Sequence, residues 1–393
     1  MGSSRGSYRT GRERAARILD AAHVLFIENG YRATSLRDVA AASGISHPAL
    51  LRHFGSREEI LTALVERLEA AHGDWPLRQS DGTALTAAAI ARHNETVPGW
   101  IELFTALLGE ATSPEHPGHD LMCRRRDTGN ELAARHLLPR GVDARSAELA
   151  VLRLGALWDG LQILSLYFPG EIDIPGQLAA YEAEVAREGI PKAPAAPVKA
   201  GEPRTGGPGG PAPVPESAPP VTGNRRRALE AAARRYARQG YYEASIQSIA
   251  DDAGLTKAAL VHVARTKRDL LDAVLAEVVD APRPEGGNPA LWLRTLPQRP
   301  RWVTAARVVL LCEATVPAHP AHAFMSRRLA EARRSVVSAL VGAGRPPVLA
   351  APEADRAVAM ALGIVIAWLY DPDRFDPRTL VDGIVPRPRQ TTT

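Results

Sequence analysis

Two short stretches of this chain combine the residue types that can contact a DNA duplex. In the first they are Ser46, His47, Pro48, Ala49, Arg52 and His53, and in the second Thr256, Lys257, Ala258, Ala259 and His262. Small residues allow the backbone to approach DNA, hydroxyls and N-terminal amides can meet phosphate, and basic side chains can reach base edges. The pattern favours nucleic-acid binding, although many helical proteins contain a similar pair of helices.

Two histidine pairs suggest metal binding as a second chemistry. The HxxH pairs His116–His119 and His319–His322 each follow a glutamate, Glu110 or Glu313. Three such ligands would suit zinc with an open coordination position. We favour a structural interpretation, in which each His-Pro step opens a helix with its proline in the first turn. The sequence has no Gly-rich phosphate loop, nucleophile elbow or HExxH motif, so we predict no cofactor, no metal site and no enzyme activity.

The segment 83–188, called here the first body, carries aromatic and polar residues that could line a small-molecule pocket. These candidates are Trp100, Glu110, Trp158, Asp159, Gln162 and Tyr167. An effector pocket usually has apolar and aromatic walls with a few polar groups. Core packing is the alternative interpretation, since most Trp and Leu residues at helical spacing are simply buried. The matching part of the second half keeps fewer polar groups, which makes the first body the better candidate.

The elements that position these residues occur twice. Gly30–Leu61 aligns with Gly240–Leu271 at an offset of 210, and Leu107–Arg125 aligns with Leu310–Arg328 at an offset of 203. In the second alignment twelve of nineteen residues are identical. A duplication of this length is too long for a solenoid repeat and fits two whole domains.

Helical periodicity dominates both copies, so the predicted fold class is all-α. An apolar stripe along residues 15–26 predicts a helix that stops at Asn29–Gly30. The predicted helix caps and breaks of the next helices are Ser35, Gly44, Ser46 and Ser56 in the first copy, and Ser245, Gly254, Thr256 and Thr266 in the second. Two short helices joined by a glycine turn, behind a longer helix, form a helix-turn-helix.

These signals divide the chain into five parts. We predict a first head at 11–72, the first body at 83–188, a linker at 189–224, a second head at 225–280 and a second body at 289–386. The linker is dense in Pro and Gly and is predicted to be disordered. Its length would allow the two copies to pair face to face. The apolar stretches Ala147–Tyr167 and Ala357–Tyr370 are the expected interface between them.

The first head resembles the N-terminal DNA-binding domain of the TetR/AcrR family of transcriptional regulators. The run GYRATSLRDVAAASGIS from Gly30, the pair His53–Phe54 and the run SREEIL from Ser56 carry the resemblance. The body segments EATSPEHP and ALWDGLQILSLYFPGEIDI are similar to the helical C-terminal domain of a common subgroup. The resemblance implies two TetR-like units in tandem, each with a DNA-binding head and a body for effector binding and dimerisation. Members are typically homodimers, most often repressors released by a small ligand.

Both heads depart from the family pattern. A tyrosine usual in the second short helix is replaced by Leu51 and Val261, and Ala264 stands where the first head has Phe54. We therefore predict a second head that is folded but degenerate. The predicted DNA-binding set also includes Ser35, Arg37, Ser56 and Arg57 in the first head, and Ser245, Gln247 and Lys267 in the second.

The composition permits these roles without indicating them. The chain has 393 residues, 45% of them apolar, and a formal net charge of +4. Arginine supplies nearly all the positive charge, which suits phosphate binding, but a GC-rich genome would produce the same bias. Cys123 and Cys312 suit reduced thiols in the cytoplasm, and a bridge between them is the alternative. We expect no membrane span and no secretory signal.

We thus predict a cytoplasmic, sequence-specific transcriptional regulator, acting as a ligand-responsive repressor. Its two units should form an intrachain pseudo-dimer on an imperfect palindromic DNA operator, with a small-molecule effector as the second partner. A further homodimer of the whole chain, with four heads, is the alternative assembly. The alternative function is a small-molecule-binding or partner-binding protein of TetR-like fold that has lost specific DNA recognition.

Overall fold

The computed structural model describes residues 3–31, 34–72, 86–136, 142–190, 223–280, 289–374, 376–380 and 384. Every regular element in these ranges is a helix, and no strand occurs in them. The predicted all-α class is therefore confirmed. Residues 191–222 of the predicted linker lie outside the described ranges.

Four helices build the first head: α1 (Ser3–Asn29), α2 (Leu36–Ala42), α3 (His47–Leu51) and α4 (Arg57–His72). As predicted, α1 ends at Asn29, and Gly30 has a φ of 85°, a left-handed conformation that favours glycine. Ser35 caps α2 in a capping box with Asp38, and Ser46 caps α3. These local signals fix where each short helix begins.

The first body contains α5 (Ala87–Glu95), α6 (Trp100–Glu110), α7 (His119–His136), α8 (Ala144–Tyr167) and α9 (Ile174–Glu188). Helix α8 is its centre and packs against α6, α7 and α9. Sixteen of the 24 residues of α8 are buried. Such a helix, apolar nearly all round, must be enclosed by other helices.

The second head repeats the first, with α10 (Asn224–Glu243), α11 (Ile246–Ala253), α12 (Lys257–Val263) and α13 (Lys267–Val274). Its predicted caps are confirmed, and Gly254 adopts the left-handed conformation at the end of α11. A π-helical turn, Leu275–Val279, extends α13. The Arg235 guanidinium donates to both carboxylate oxygens of Asp252, at 2.7 and 2.8 Å, and so ties α10 to α11.

The second body consists of α14 (Pro289–Thr295), α15 (Arg301–Glu313), α16 (His322–Gly342) and α17 (Pro347–Tyr370), with short 3-10 turns at Leu296–Gln298 and Pro377–Leu380. By sequence position α15, α16 and α17 correspond to α6, α7 and α8. The central helix α17 is again buried along most of its length. The two bodies are thus variations on one helical plan.

The two halves of the chain pack against each other through α8 and α17. These are the helices that the sequence analysis expected at the interface. A Cβ built on Gly160 would lie 1.8 Å from the carbonyl oxygen of Ala359, and one on Gly363 would lie 1.8 Å from that of Ala156. Only glycine at both positions allows the two backbones to approach so closely.

Further contacts between the halves are reciprocal. The Tyr167 hydroxyl donates to the Leu311 carbonyl at 2.7 Å, and the Tyr370 hydroxyl donates to the Leu108 carbonyl at 2.8 Å. Each residue of one hydrogen bond is related to its counterpart in the other by the 203-residue offset. Reciprocal contacts of this kind are typical of an isologous interface, in which both partners use the same surface.

One pair of equivalent positions meets directly. Gly109 and Cys312 are also related by the offset of 203, and a Cβ on Gly109 would lie 2.4 Å from the Cβ of Cys312. The side chain of Cys312 therefore occupies space that its glycine counterpart leaves open. Both cysteines of the chain are free.

By length and composition alone, one helix of the described ranges, α8, is long and apolar enough to cross a membrane. The structure places 78% of its most apolar window inside the protein. Its apolar surface is covered largely by α17 and the helices of the first body.

Candidate nucleic-acid interface

Helices α3 and α12 are the second short helices of the two helix-turn-helix heads. The hydroxyl of Ser46 accepts from the Ala49 N–H at 3.3 Å, and that of Thr256 accepts from the Ala259 N–H at 3.1 Å. Each hydroxyl keeps its own hydrogen for donation. Both helices are anchored to their head by a leucine, at 50 and 260, that is 0% exposed. The opposite faces are therefore turned outward.

Most of the predicted DNA-facing residues, on these helices and on the first short helix of each head, are exposed or half-buried. The exposed members are Ser35, Arg37, Ser46, Pro48, Arg52, Ser245, Gln247, Thr256, Lys257 and His262, and the half-buried ones are His47, Ala49, His53 and Ser56. Leu51 and Val261, in place of the family's tyrosine, are 42% and 40% exposed. An exposed apolar side chain on such a helix can contact the methyl group of thymine.

Arg57 occupies a different environment from the other predicted residues. It is 8% exposed, and its Nη1 donates to the Thr34 carbonyl at 2.9 Å. Its Nη2 forms an ion pair with the Glu243 carboxylate of the second head, and its Cζ lies 5.2 Å from the centre of the Tyr31 ring. Arg57 thus links the two heads. Its charge is paired within the protein and does not point outward as a DNA contact would require.

Lys267, the counterpart of Arg57, also contacts its own protein. Its Nζ donates to the Tyr242 carbonyl at 2.9 Å and lies 4.5 Å from the centre of the Tyr241 ring. Burial lowers the pKa of Lys267, while the nearby carboxylates of Glu313 and Glu243 oppose that shift. Arg37 and Arg52 on the short helices of the first head are therefore exposed, whereas Arg57 and Lys267 contact their own protein.

A half-open cavity of about 610 Å³ lies between α5, α6, α7 and α8 of the first body, and Glu69 of α4 completes its lining. Four of the six residues predicted to bind a ligand line it: Trp100, Trp158, Asp159 and Gln162. The rings of Trp100 and Phe104 stack with centroids 6.5 Å apart and form part of the wall. The volume lies within the range of small-molecule pockets, roughly 300–1,000 Å³.

The other two predicted ligand-binding residues, Glu110 and Tyr167, lie outside the lining of this cavity. Glu110 is 3% exposed, with its Oε2 3.3 Å from Nε2 of His116. Tyr167 donates its hydroxyl across the interface to Leu311. Helical spacing placed both on apolar helices but did not reveal which side of each helix meets the other half.

Two arginines of the cavity were missed by the sequence analysis. Arg126 donates to the Asp159 carboxylate at 2.7 Å; burial raises the pKa of Asp159, and Arg126 opposes that shift. Arg125 lies over the Phe104 ring, 4.5 Å from its centre, and pairs with Glu69 on α4. Burial lowers the pKa of Arg125 to about 10. The run of three arginines at 124–126 was the available signal.

The HxxH pairs have structural contacts in both halves. His116 Nδ1 accepts from the Gly118 N–H at 3.0 Å, and His119 Nδ1 lies 2.8 Å from the Ala111 carbonyl oxygen. The second pair makes the equivalent contacts at 3.0 and 2.8 Å. Helices α7 and α16 begin at the second histidine, so the prolines stand in the preceding turn and not, as predicted, in the first turn. No metal-binding group of three or more His, Cys, Asp or Glu residues occurs in the described ranges.

Fold and site together define a helical protein with two helix-turn-helix heads in one chain. Both heads match the family described as "Bacterial regulatory proteins, tetR family", at residues 18–64 and 228–274. The chain therefore carries two TetR-family domains in tandem, as the resemblance of the first head had indicated.

Similarity to named relatives covers 15–21% of this chain. The chain is 48% identical over 60 residues to "HTH-type transcriptional repressor Rv3405c" of Mycobacterium tuberculosis, covering 15% of this chain and 32% of that protein. It is 35% identical over 66 residues to "HTH-type transcriptional activator FasR" of Mycolicibacterium smegmatis, covering 17% and 30%. It is 34% identical over 88 residues to "HTH-type transcriptional repressor KstR2" of Rhodococcus jostii, covering 21% and 43%. The matches thus span less than half the length of each relative.

Proposed function

We propose that this protein is a ligand-responsive, sequence-specific DNA-binding transcriptional regulator, and that it acts as a repressor. The observation that carries the proposal is the pair of capped recognition helices, α3 and α12, whose outward faces hold basic and small residues. A helix of this kind fits the major groove with its N-terminal residues at the base edges. The relatives that part of this chain matches are named HTH-type transcriptional regulators.

The two halves act as an intrachain pseudo-dimer in this proposal. The reciprocal tyrosine hydrogen bonds and the close approach of α8 and α17 support it. A two-fold arrangement places two recognition helices in successive major grooves, roughly 34–36 Å apart. Because α3 and α12 differ in sequence, the operator is an imperfect palindrome, with its stronger half read by the first head.

Selection of binding sites from random DNA, followed by gel retardation with the full chain at fixed salt, tests the proposal. Arg52→Ala should weaken binding about tenfold or more, because one base or phosphate contact is worth roughly 1–3 kcal/mol. Lys257→Ala should weaken it less. Arg135→Ala is a matched control, since this exposed arginine lies on α7 and, among the residues that the structure describes, pairs with Glu131 of the same helix alone.

Equal losses for Arg52→Ala and Lys257→Ala would contradict the proposed ranking of the heads. Footprints with two identical half-sites would contradict the imperfect palindrome. The mass of the complex in solution distinguishes one chain per operator from two. Failure to select any sequence would favour a ligand-binding protein without DNA recognition, an alternative suggested by the replacement of the family's tyrosine by Leu51 and Val261.

A further inference from the structure

We infer that the cavity of the first body binds an amphipathic organic anion. Its negative group pairs with Arg125 and breaks the ion pair between Arg125 and Glu69. The inference rests on the proposed ligand-responsive function and names the chemical class of its effector. It also identifies the ion pair that such a ligand would displace. Three features of the cavity support it: its charge balance, its unpartnered polar atoms and the position of Glu69.

The charge balance of the lining favours an anion. Three arginines, at 124–126, face only two carboxylates, Glu69 and Asp159. Asp159 is paired with Arg126, and Glu69 with Arg125. The third arginine, Arg124, is exposed. A ligand with one negative charge would balance it and would give Arg125, whose protonated form burial disfavours, a counter-charge inside the cavity.

Two buried polar atoms in the lining point to a ligand with a polar group. The indole Nε1 of Trp100 and the Oε1 of Gln162 have no hydrogen-bond partner within the described part of the chain. Their residues are 5% and 3% exposed. Buried polar atoms without a partner are costly, and a bound molecule that accepts from the indole N–H would remove that cost. The aromatic rings of Trp100, Phe104 and Trp158 suit an apolar or aromatic remainder.

Glu69 and a bound anion would compete for the positive charge of Arg125. Glu69 lies in the last turn of α4, the helix that belongs to the first head, while Arg125 belongs to α7 of the body. The guanidinium lies over the rings of Trp100 and Phe104, 5.1 and 4.5 Å from their centres, and so at the cavity wall. An anion within the cavity competes with Glu69 for this one side chain. Its binding would therefore detach the end of α4 from α7.

Two fluorescent probes with the same aromatic skeleton test the inference on the full chain. 8-Anilinonaphthalene-1-sulfonate is anionic, and N-phenyl-1-naphthylamine is its neutral analogue. The anionic probe should bind at least tenfold more tightly than the neutral one. Arg125→Met should remove most of that difference and leave the neutral probe almost unaffected. Arg328→Met changes the equivalent arginine of the second body, which pairs with Asp280, and should leave both probes unaffected.

Glu69→Gln provides a test with the opposite sign. Removing the competing carboxylate should raise the affinity for the anionic probe several-fold, a gain that a misfolded variant would not produce. Equal binding of the two probes, equal losses in Arg125→Met and Arg328→Met, or a lower affinity in Glu69→Gln would each overturn the inference. Operator retardation measured on the same samples separates the two proposals. Arg125-dependent probe binding without operator binding would overturn the proposed regulator alone, whereas operator binding with Arg125-independent probe binding would overturn this inference alone.

Discussion

Replacing Gly160 with alanine should separate the two halves of the protein at their closest contact. The new Cβ would lie 1.8 Å from the carbonyl oxygen of Ala359, whereas real Cβ atoms essentially never come within 3.0 Å of another heavy atom. The obstacle is backbone, so no side-chain rotation relieves it, and α8 and α17 must move apart by about 1 Å or more. Overpacking of a core costs typically 1–3 kcal/mol. We expect a loss near the upper end of that range, about 3 kcal/mol.

Urea unfolding followed by circular dichroism measures this loss, and Gly155→Ala is the matched control. Gly155 lies in the same helix with nothing within 4 Å of a built Cβ. Alanine there should be neutral or stabilise the protein by up to about 1 kcal/mol, because alanine is the better helix former. If Gly160→Ala proves as stable as Gly155→Ala, the close crossing of α8 and α17 does not hold the halves together. Gly363→Ala should repeat the result from the opposite helix.

Three further predictions concern single side chains. Glu313→Gln should lower the free energy of unfolding by about 1–3 kcal/mol in urea unfolding, because the buried carboxylate accepts from the N–H groups of Tyr241 and Tyr242 at 2.7 and 3.3 Å. Cys312 should be alkylated after Cys123 when labelling is followed by mass spectrometry, because Cys312 is 1% exposed and burial raises its pKa more; earlier labelling of Cys312 would contradict its burial. The side-chain hydrogen bond from Ser35 holds the pKa of Asp38 below 3.8, so its stabilisation is present above that pH and lost as the pH falls through the lowered value. The stability difference from Asp38→Asn should therefore shrink in acid, and a difference that persists there would refute the assignment.

The heads could be predicted closely from the sequence because their signals are local. A capping hydroxyl such as Ser46 bonds to a backbone N–H three residues away, and a glycine such as Gly30 stops a helix at its own position. These contacts leave a pattern within a few letters of sequence. The duplication added an independent check, since each cap of the first head has a counterpart in the second.

The contacts that sequence reasoning missed join residues far apart in the chain. Arg57 and Glu243 are 186 residues apart, and Arg125 and Glu69 are 56 apart. Periodicity shows that a side chain lies on one face of a helix, but not which helix covers that face. For the same reason Tyr167 was predicted to line a pocket, while its hydroxyl in fact bonds to the other half.

The meeting of Gly109 with Cys312 makes the two halves complementary and not interchangeable. Two copies of the second half, joined in the same way, would bring two thiols into the space that one fills, and two copies of the first would leave that space empty. At this contact a glycine facing a cysteine fits better than two cysteines or two glycines would. A gene fusion keeps such partners together at every synthesis, so each half can acquire changes that would harm a protein built from two identical chains.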